Sequence, residues 1–349
     1  MKKKILSAVL ALLICVGMMP GALAAQTYSD VPALHWAEKD IYRATELGIF
    51  NGVGGGLFGF GREITRAEFV TAMVRLFGWE LINPQKGTFT DVTSGAWYYD
   101  EVETAVANGA IQTSSKTFRP DVPITRGDMT AMLMRALGYT SLAATVNGYA
   151  CPFTDVTVNK GFITMAYDMG IVKGVDNGIF APGWSTTREQ AATIFVRLYD
   201  RLYAENKKLS LTDGKVVLSV ATPAPENGAK LPTTPLEPIT QLYDALRKMK
   251  ASGQDMSEVV LILRAGGVRT IVDETGKIIS SEIISADKVK NILERTDVRI
   301  YYSQRYESAY CVYQPNNYQS VTVWYQSEES LAVKLQMAKM FGVVNYVLE

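Results

Sequence analysis

Thr65-Arg66-Ala67-Glu68, Thr125-Arg126-Gly127-Asp128 and Thr187-Arg188-Glu189-Gln190 are three versions of one tetrapeptide, spaced by about sixty residues. A hydroxyl followed three positions later by a carboxyl or amide is a capping box, in which both side chains satisfy orphan backbone N–H groups. Each tetrapeptide therefore predicts the start of a helix, Thr125 to Asp128 being a shorter version of the box. After the first one the apolar residues Phe69, Val70, Met73, Val74 and Phe77 recur at helical spacing. Seven residues before each Thr stands an aromatic, Phe58, Phe118 or Phe180, closing a Gly/Asn-rich loop. Before that loop an amphipathic helix ends in Leu47-Gly48-Ile49, Asn108-Gly109-Ala110 or Met169-Gly170-Ile171, where Gly suits a left-handed cap. Each unit opens on Tyr28-Ser29-Asp30-Val31, Phe89-Thr90-Asp91-Val92 or Phe153-Thr154-Asp155-Val156. One helix–loop–helix unit cannot bury its apolar face alone, so the three are expected to pack on one another.

The chain has 349 residues, 48% of them hydrophobic and 20% charged, which is too apolar for disorder and long enough for two or three domains. Lys2 to Lys4, the apolar run Ile5 to Val16 and Ala22-Leu23-Ala24 read as a secretory signal over residues 1–24. The apolar run is shorter than the ~20 residues a membrane span needs, so no span is expected after cleavage. Ile14 before Cys15 argues against lipidation. Without the three lysines, 32 basic residues face 35 acidic ones, and no basic stripe marks a nucleic-acid partner. Cys151 and Cys311 fall in different predicted domains, so a disulfide between them is not expected. His35 is the single histidine; no His/Cys metal cluster, Ser-His-Asp triad or cofactor site is expected, and His35 reads as a loop residue.

The pattern F-x-D-V, W-A, G-I, F-x-P and I-T-R-A-E resembles S-layer homology domains. Thr65-Arg66-Ala67-Glu68 matches the motif fully, and the other two tetrapeptides vary it. The resemblance covers about Ala25 to Ala204, with repeats at residues 25–86, 87–150 and 151–204. It implies a three-fold assembly whose inter-repeat grooves bind wall-linked secondary polysaccharide, often bearing ketal-pyruvate groups.

The arginines Arg66, Arg126 and Arg188 are the most informative candidates. A cation near the first helical position opposes the helix dipole, so capping does not explain it. Two readings remain: a guanidinium that clamps a carboxylate beside free N–H groups, or an ion pair with the Asp of a neighbouring repeat's D-V motif. Trp36 and Trp97 occupy matching places, twelve residues before the Gly of helix one, and either stack on a sugar or pack internally. Asp30, Asp91 and Asp155 either hydrogen-bond sugar hydroxyls or cap the first helices. The third repeat has Val158 where the others have Trp, so the first two repeats are the favoured grooves.

After a linker at residues 205–214, residues 215–349 read as an α/β module. Strands are expected at Val216–Ala221, Val259–Leu263, Val298–Tyr302 and Val343–Leu348. A hairpin is expected at Tyr310–Tyr313 and Val321–Tyr325. Helices are expected at Ile239–Lys250, Ala286–Arg295 and from Ser327 to Phe341, with a Pro-rich loop from Pro223 to Pro238. The alternation suggests parallel pairing by crossovers. Glu258-Val259-Val260-Leu261-Ile262-Leu263, Val298-Arg299-Ile300-Tyr301-Tyr302 and Val323-Trp324-Tyr325-Gln326 resemble the closing part of a glycoside hydrolase family 18 barrel. The family's D-x-x-D-x-D-x-E acid motif is missing, and Tyr346 stands near its usual Trp. Glu274, Glu282, Glu307 and Glu328 are expected on solvated faces or in loops, and no catalytic residue is assigned.

The expected fold is thus multidomain, an all-α three-repeat bundle followed by a smaller α/β module of partial barrel-like βα units. The expected role is non-covalent anchoring of a secreted protein at the cell surface. A wall-tethered, chitinase-like glycan hydrolase and a structural S-layer subunit are the alternatives.

Overall fold

The computed structural model describes residues 28–208, 218–219, 238–263 and 265–348. The signal segment and most of the Pro-rich loop lie outside the described residues, as does all but Leu218–Ser219 of the expected strand Val216–Ala221. The chain divides into two compact units, Met1–Asp200 and Arg201–Glu349.

In the first unit each repeat contributes two helices. The first helices are α1 (Glu38–Glu46), α3 (Tyr99–Ala107) and α6 (Lys160–Asp168). The second helices are α2 (Arg66–Phe77), α4 (Arg126–Ala136) and α7 (Arg188–Leu202). A short helix that the periodicity did not signal, α5 (Thr140–Val146), joins repeats two and three. Thr65 and Glu68 form the complete capping box, and Thr125 accepts the Asp128 N–H. In the third repeat only half the box forms. The Thr187 N–H donates to Gln190 at 3.3 Å, while the Thr187 hydroxyl is buried without a partner. Gly48, Gly109 and Gly170 follow the first helices at φ of 68°, 75° and 74°, the left-handed region that a side chain opposes.

The bundle is not purely helical. The extended segments entering α2, α4 and α7 meet in a closed ring of backbone bonds. The Ile64 N–H donates to the Thr186 carbonyl, Thr186 to Ile124, and Ile124 back to Ile64, at 2.9, 3.0 and 3.0 Å. All three residues are fully buried. This ring joins residues that the sequence separates by one or two whole repeats, and it imposes an approximate three-fold arrangement on the helices around it.

The second unit holds two sheets. The smaller is parallel, built from β1 (Lys207–Lys208), β2 (Leu218–Ser219), β3 (Val260–Leu263) and β9 (Asn345–Leu348), in the order β1-β9-β3-β2. Helices α8 (Ile239–Ala251) and α10 (Glu328–Phe341) pack together beside it, with the Tyr243 and Phe341 rings 5.8 Å apart. The larger sheet corrects the expectation of parallel pairing. Strands β4 (Gly267–Asp273), β5 (Ile278–Ile284), β6 (Arg299–Ser303), β7 (Ser308–Asn316) and β8 (Gln319–Tyr325) are antiparallel, in the order β5-β4-β8-β7-β6.

The β4–β5 hairpin was missed in the sequence, although its turn is legible. The Asp273 carboxylate accepts from the Thr275 N–H and hydroxyl and from the Lys277 N–H, and Gly276 follows at φ 82°. Helix α9 (Ala286–Leu293) lays Val289 on one face of this sheet, over Cys311, Val321, Val323 and Tyr325. Cys151 and Cys311 are both free thiols.

Candidate functional site

Arg66, Arg126 and Arg188 each stand at the first position of a second helix, and each reaches into another repeat. The Arg66 Nε donates to the Phe118 carbonyl at 2.8 Å, Arg126 to Phe180 at 3.0 Å and Arg188 to Phe58 at 2.9 Å. The relation is cyclic: repeat one reaches two, two reaches three, and three returns to one. Each guanidinium also lies over the ring of the same Phe, 4.9, 4.6 and 5.0 Å from its centroid. Further bonds run from the Arg126 Nη2 to the Lys173 carbonyl and from the Arg188 Nη2 to the Asn51 carbonyl, both 2.8 Å. All three arginines are buried, and desolvation pushes their pKa down. They stay charged, because a guanidinium starts so high.

The motif aspartates serve the other side of the same peptides. Asp30 accepts from the Phe58, Gly59 and Phe60 N–H groups at 2.8, 2.8 and 2.9 Å. Asp91 accepts from Phe118 and Arg119 at 2.8 and 2.7 Å, and Asp155 from Phe180 and Ala181 at 2.9 and 2.7 Å. Partial burial disfavours the charged form of Asp30 and Asp155, but the N–H bonds outweigh it and hold both carboxyls below the usual carboxylate range. The aspartates therefore fix the loop that presents each Phe. They do not cap the first helices, whose N-cap residues Ala37, Tyr98 and Asn159 make no side-chain cap bond. The direct Arg–Asp pair considered from sequence is replaced by a bridge through the Phe peptide, carboxylate on its N–H and guanidinium on its carbonyl.

Two of the three arginines find another carboxylate, the fourth residue of the next tetrapeptide in the ring. The Arg66 Nη1 meets Asp128 at 2.9 Å, and the Arg188 Nη1 lies 3.7 Å from Glu68. The matching residue for Arg126 is Gln190, and among the described residues no carboxylate pairs with Arg126.

A cleft of about 530 Å³ opens beside Arg66, lined among others by Phe118, Arg119, Asp128, Arg135 and Val158. All three repeats contribute to it. Val158, the third-repeat counterpart of Trp36 and Trp97, thus lines the cleft of Arg66, an arginine of the first repeat. The Arg135 guanidinium lies 4.7 Å from the Phe162 centroid, and its Nε is buried with no hydrogen-bond partner.

Trp36 and Trp97 are 60% and 62% exposed, so neither is an internal packing residue. A third tryptophan, Trp184, is 64% exposed, and its carbonyl accepts the Arg126 backbone N–H at 2.8 Å. Repeat reading missed Trp184 because its counterparts are Arg62 and Val122, leaving no pattern to find. His35 packs its ring against Trp36 and Phe60, and its Nδ1 accepts the Ala37 N–H.

In the second unit Glu307 lies in the turn between β6 and β7, one of the loop positions expected for it, and is only partly exposed. Burial pushes its carboxyl up, the Tyr302 hydroxyl donates to it at 2.8 Å, and its φ is 42°. Nearby, Lys334 is fully buried and donates to the Ser308 hydroxyl and the Gln326 side-chain carbonyl at 3.1 and 3.0 Å.

The first unit is therefore a ring of three helical repeats with cations buried at the contacts between repeats and three exposed indoles. Residues 27–70, 88–130 and 152–192 match the S-layer homology domain, and the chain carries three such domains. It is 31% identical over 225 residues to a surface layer protein of Brevibacillus choshinensis, covering 60% of this chain and 18% of that protein. It is 36% identical over 140 residues to a cellulosome-anchoring protein of Acetivibrio thermocellus, covering 38% of this chain and 30% of that one. The chain thus spans less than a third of the length of either relative. Among solved structures, the spore cortex-lytic enzyme SleL of Bacillus megaterium aligns at a TM-score of 0.30 and 17% identity, over 38% of this chain and 30% of that one. The S-layer homology domains mark a secreted, cell-surface protein. No helix among the described residues is long and apolar enough to cross a membrane.

Proposed function

We propose that this chain is a non-covalent cell-wall anchor whose three domains bind an anionic secondary wall polysaccharide, pyruvylated sugars being the fitting class. The observation that carries the reading is the set of guanidiniums buried at the contacts between repeats, that of Arg66 lining a cleft, in a unit whose Trp36, Trp97 and Trp184 indoles face solvent. A buried cation whose N–H groups are only partly satisfied favours a carboxylate ligand, and an exposed indole offers a face for a sugar ring. The position of Arg at the helix start supports this, because the dipole that opposes the cation attracts the same anion.

The α/β module is the part the anchor holds at the wall. Its parallel β1-β9-β3-β2 sheet with α8 and α10 supports reading it as a shortened remnant of a family 18 barrel, with the antiparallel sheet inserted between β3 and α10. The test is co-sedimentation of the chain with purified sacculi, before and after extraction of the non-peptidoglycan polymer. Binding lost on extraction supports the anchor. Binding indifferent to extraction, or absent from intact sacculi, refutes it.

A further inference from the structure

The three arginine sites are equivalent in backbone and unequal in charge. Every guanidinium gives its Nε to a Phe carbonyl and lies over that Phe ring. What differs is the fourth residue of the tetrapeptide belonging to the next repeat in the ring, which is Asp128 for Arg66, Gln190 for Arg126 and Glu68 for Arg188. Asp128 sits directly on the Arg66 Nη1 at 2.9 Å. Glu68 lies 3.7 Å from the Arg188 Nη1, is held there by Arg62 at 2.6 Å and by the Thr65 N–H at 3.0 Å, and so cannot swing away freely. At the Arg126 site the amide of Gln190 is occupied by the Thr187 N–H, and it carries no charge. Arg126 bonds two backbone carbonyls through Nε and Nη2, and among the described residues its Nη1 has no acceptor.

A buried guanidinium with two carbonyl partners and no carboxylate in contact, Asp155 acting on Arg126 only through space, leaves much of its charge uncompensated in a low-dielectric setting, where an incoming anion gains most. A guanidinium already holding a carboxylate offers an anion only the difference between two similar bonds. The Arg66 cleft has further cations in Arg119 and Arg135, but Arg119 is exposed and screened, and the Arg66 edge itself is occupied.

We propose that the fourth residue of the tetrapeptide selects which arginine site takes an anionic sugar, so that Gln190 opens the Arg126 site while Asp128 and Glu68 close those of Arg66 and Arg188. The inference rests on the anchoring function proposed above and narrows it to one dominant site. Trp184, next to Arg126 in the backbone ladder and exposed, is the indole nearest in connectivity to that site.

The deciding experiment measures equilibrium binding of the full chain to polymer-bearing sacculi, with polymer-stripped sacculi as the blank. Gln190→Glu is the informative variant. Glutamate keeps the acceptor for the Thr187 N–H and suits a helix start, so the fold is retained while a carboxylate arrives opposite Arg126. Binding is expected to weaken at least about tenfold. Asp128→Asn and Glu68→Gln are expected to strengthen binding by freeing a further guanidinium, and Arg126→Gln to lose it. Gln190→Glu at wild-type affinity, or Asp128→Asn weakening binding more than Gln190→Glu, would overturn the selection by charge while leaving the anchor intact. Wild-type chain that does not distinguish intact from stripped sacculi would instead sink the anchoring function itself.

Discussion

Thr186 is the third member of the central ring, where the other two repeats place Ile64 and Ile124, and it is fully buried. Its N–H and carbonyl are both used in the ring, but its hydroxyl has no hydrogen-bond partner. Valine has nearly the same shape and replaces that hydroxyl by a methyl. Leaving a buried hydroxyl unsatisfied costs about 1–3 kcal/mol, and burying one more methyl-sized group contributes up to ~0.8 kcal/mol. Partial relaxation around the ring lowers the sum, so Thr186→Val is expected to stabilise the first unit by about 1–2 kcal/mol. For a unit of this size that corresponds to about 3–6 °C in melting temperature. Isoleucine would match the other repeats but adds a methylene to a closed centre, with an overpacking cost of similar size. Four of the five tryptophans, Trp36, Trp79, Trp97 and Trp184, belong to the first unit, so intrinsic fluorescence during thermal or urea unfolding follows it. An unchanged or lowered melting point in Thr186→Val would show that the hydroxyl has a partner, such as an enclosed water, and would refute the orphan argument.

Other consequences are equally direct. Asp30 and Asp155 have folded pKa values below their unfolded ones, so their stabilisation is complete above the usual carboxylate pKa of about 4 and is lost as pH falls through the lower folded value. The first unit should therefore lose stability on acidification below about pH 4, and Asp30→Asn should flatten that part of a melting-temperature-against-pH profile. A Cβ at Gly161 would meet the Ala143 carbonyl oxygen at 1.9 Å, a backbone atom that cannot step aside. Gly161→Ala should separate α5 from α6 and cost about 3 kcal/mol or more by urea titration. Cys311 is buried with its thiol pushed up to about 11 by desolvation, whereas Cys151 is partly exposed. A thiol-specific reagent at neutral pH should label Cys151 in the native chain and reach Cys311 only on unfolding.

Much of the first unit is legible in the sequence because it is local. The Thr–Glu capping box, the glycines after the first helices and the apolar spacing of α2 act within a few residues, and three copies in register repeat the message. In the α/β unit the hydrophobic runs mark β3, β6, β7 and β8 and the helices α8 to α10. The β4–β5 hairpin escaped because its strands carry Arg269, Ser280, Ser281 and Glu282 among the apolar residues, so periodicity alone was weak.

What the sequence by itself determined was the repeat, its helical punctuation and the resemblance that rests on them. The tertiary structure decided which residues meet. Arg66 joins Phe118 and Asp128 across 52 and 62 residues, Arg188 returns to Phe58 across 130, and Val158 lines the cleft of an arginine two repeats away. Three near-identical units are compatible with stacking in a row or closing in a ring, and nothing within one unit distinguishes the two. Closure follows from backbone bonds between units, at Ile64, Ile124 and Thr186. That closure sets each buried cation against the next repeat's loop, where Gln190 stands in the place that Glu68 and Asp128 take in the other repeats.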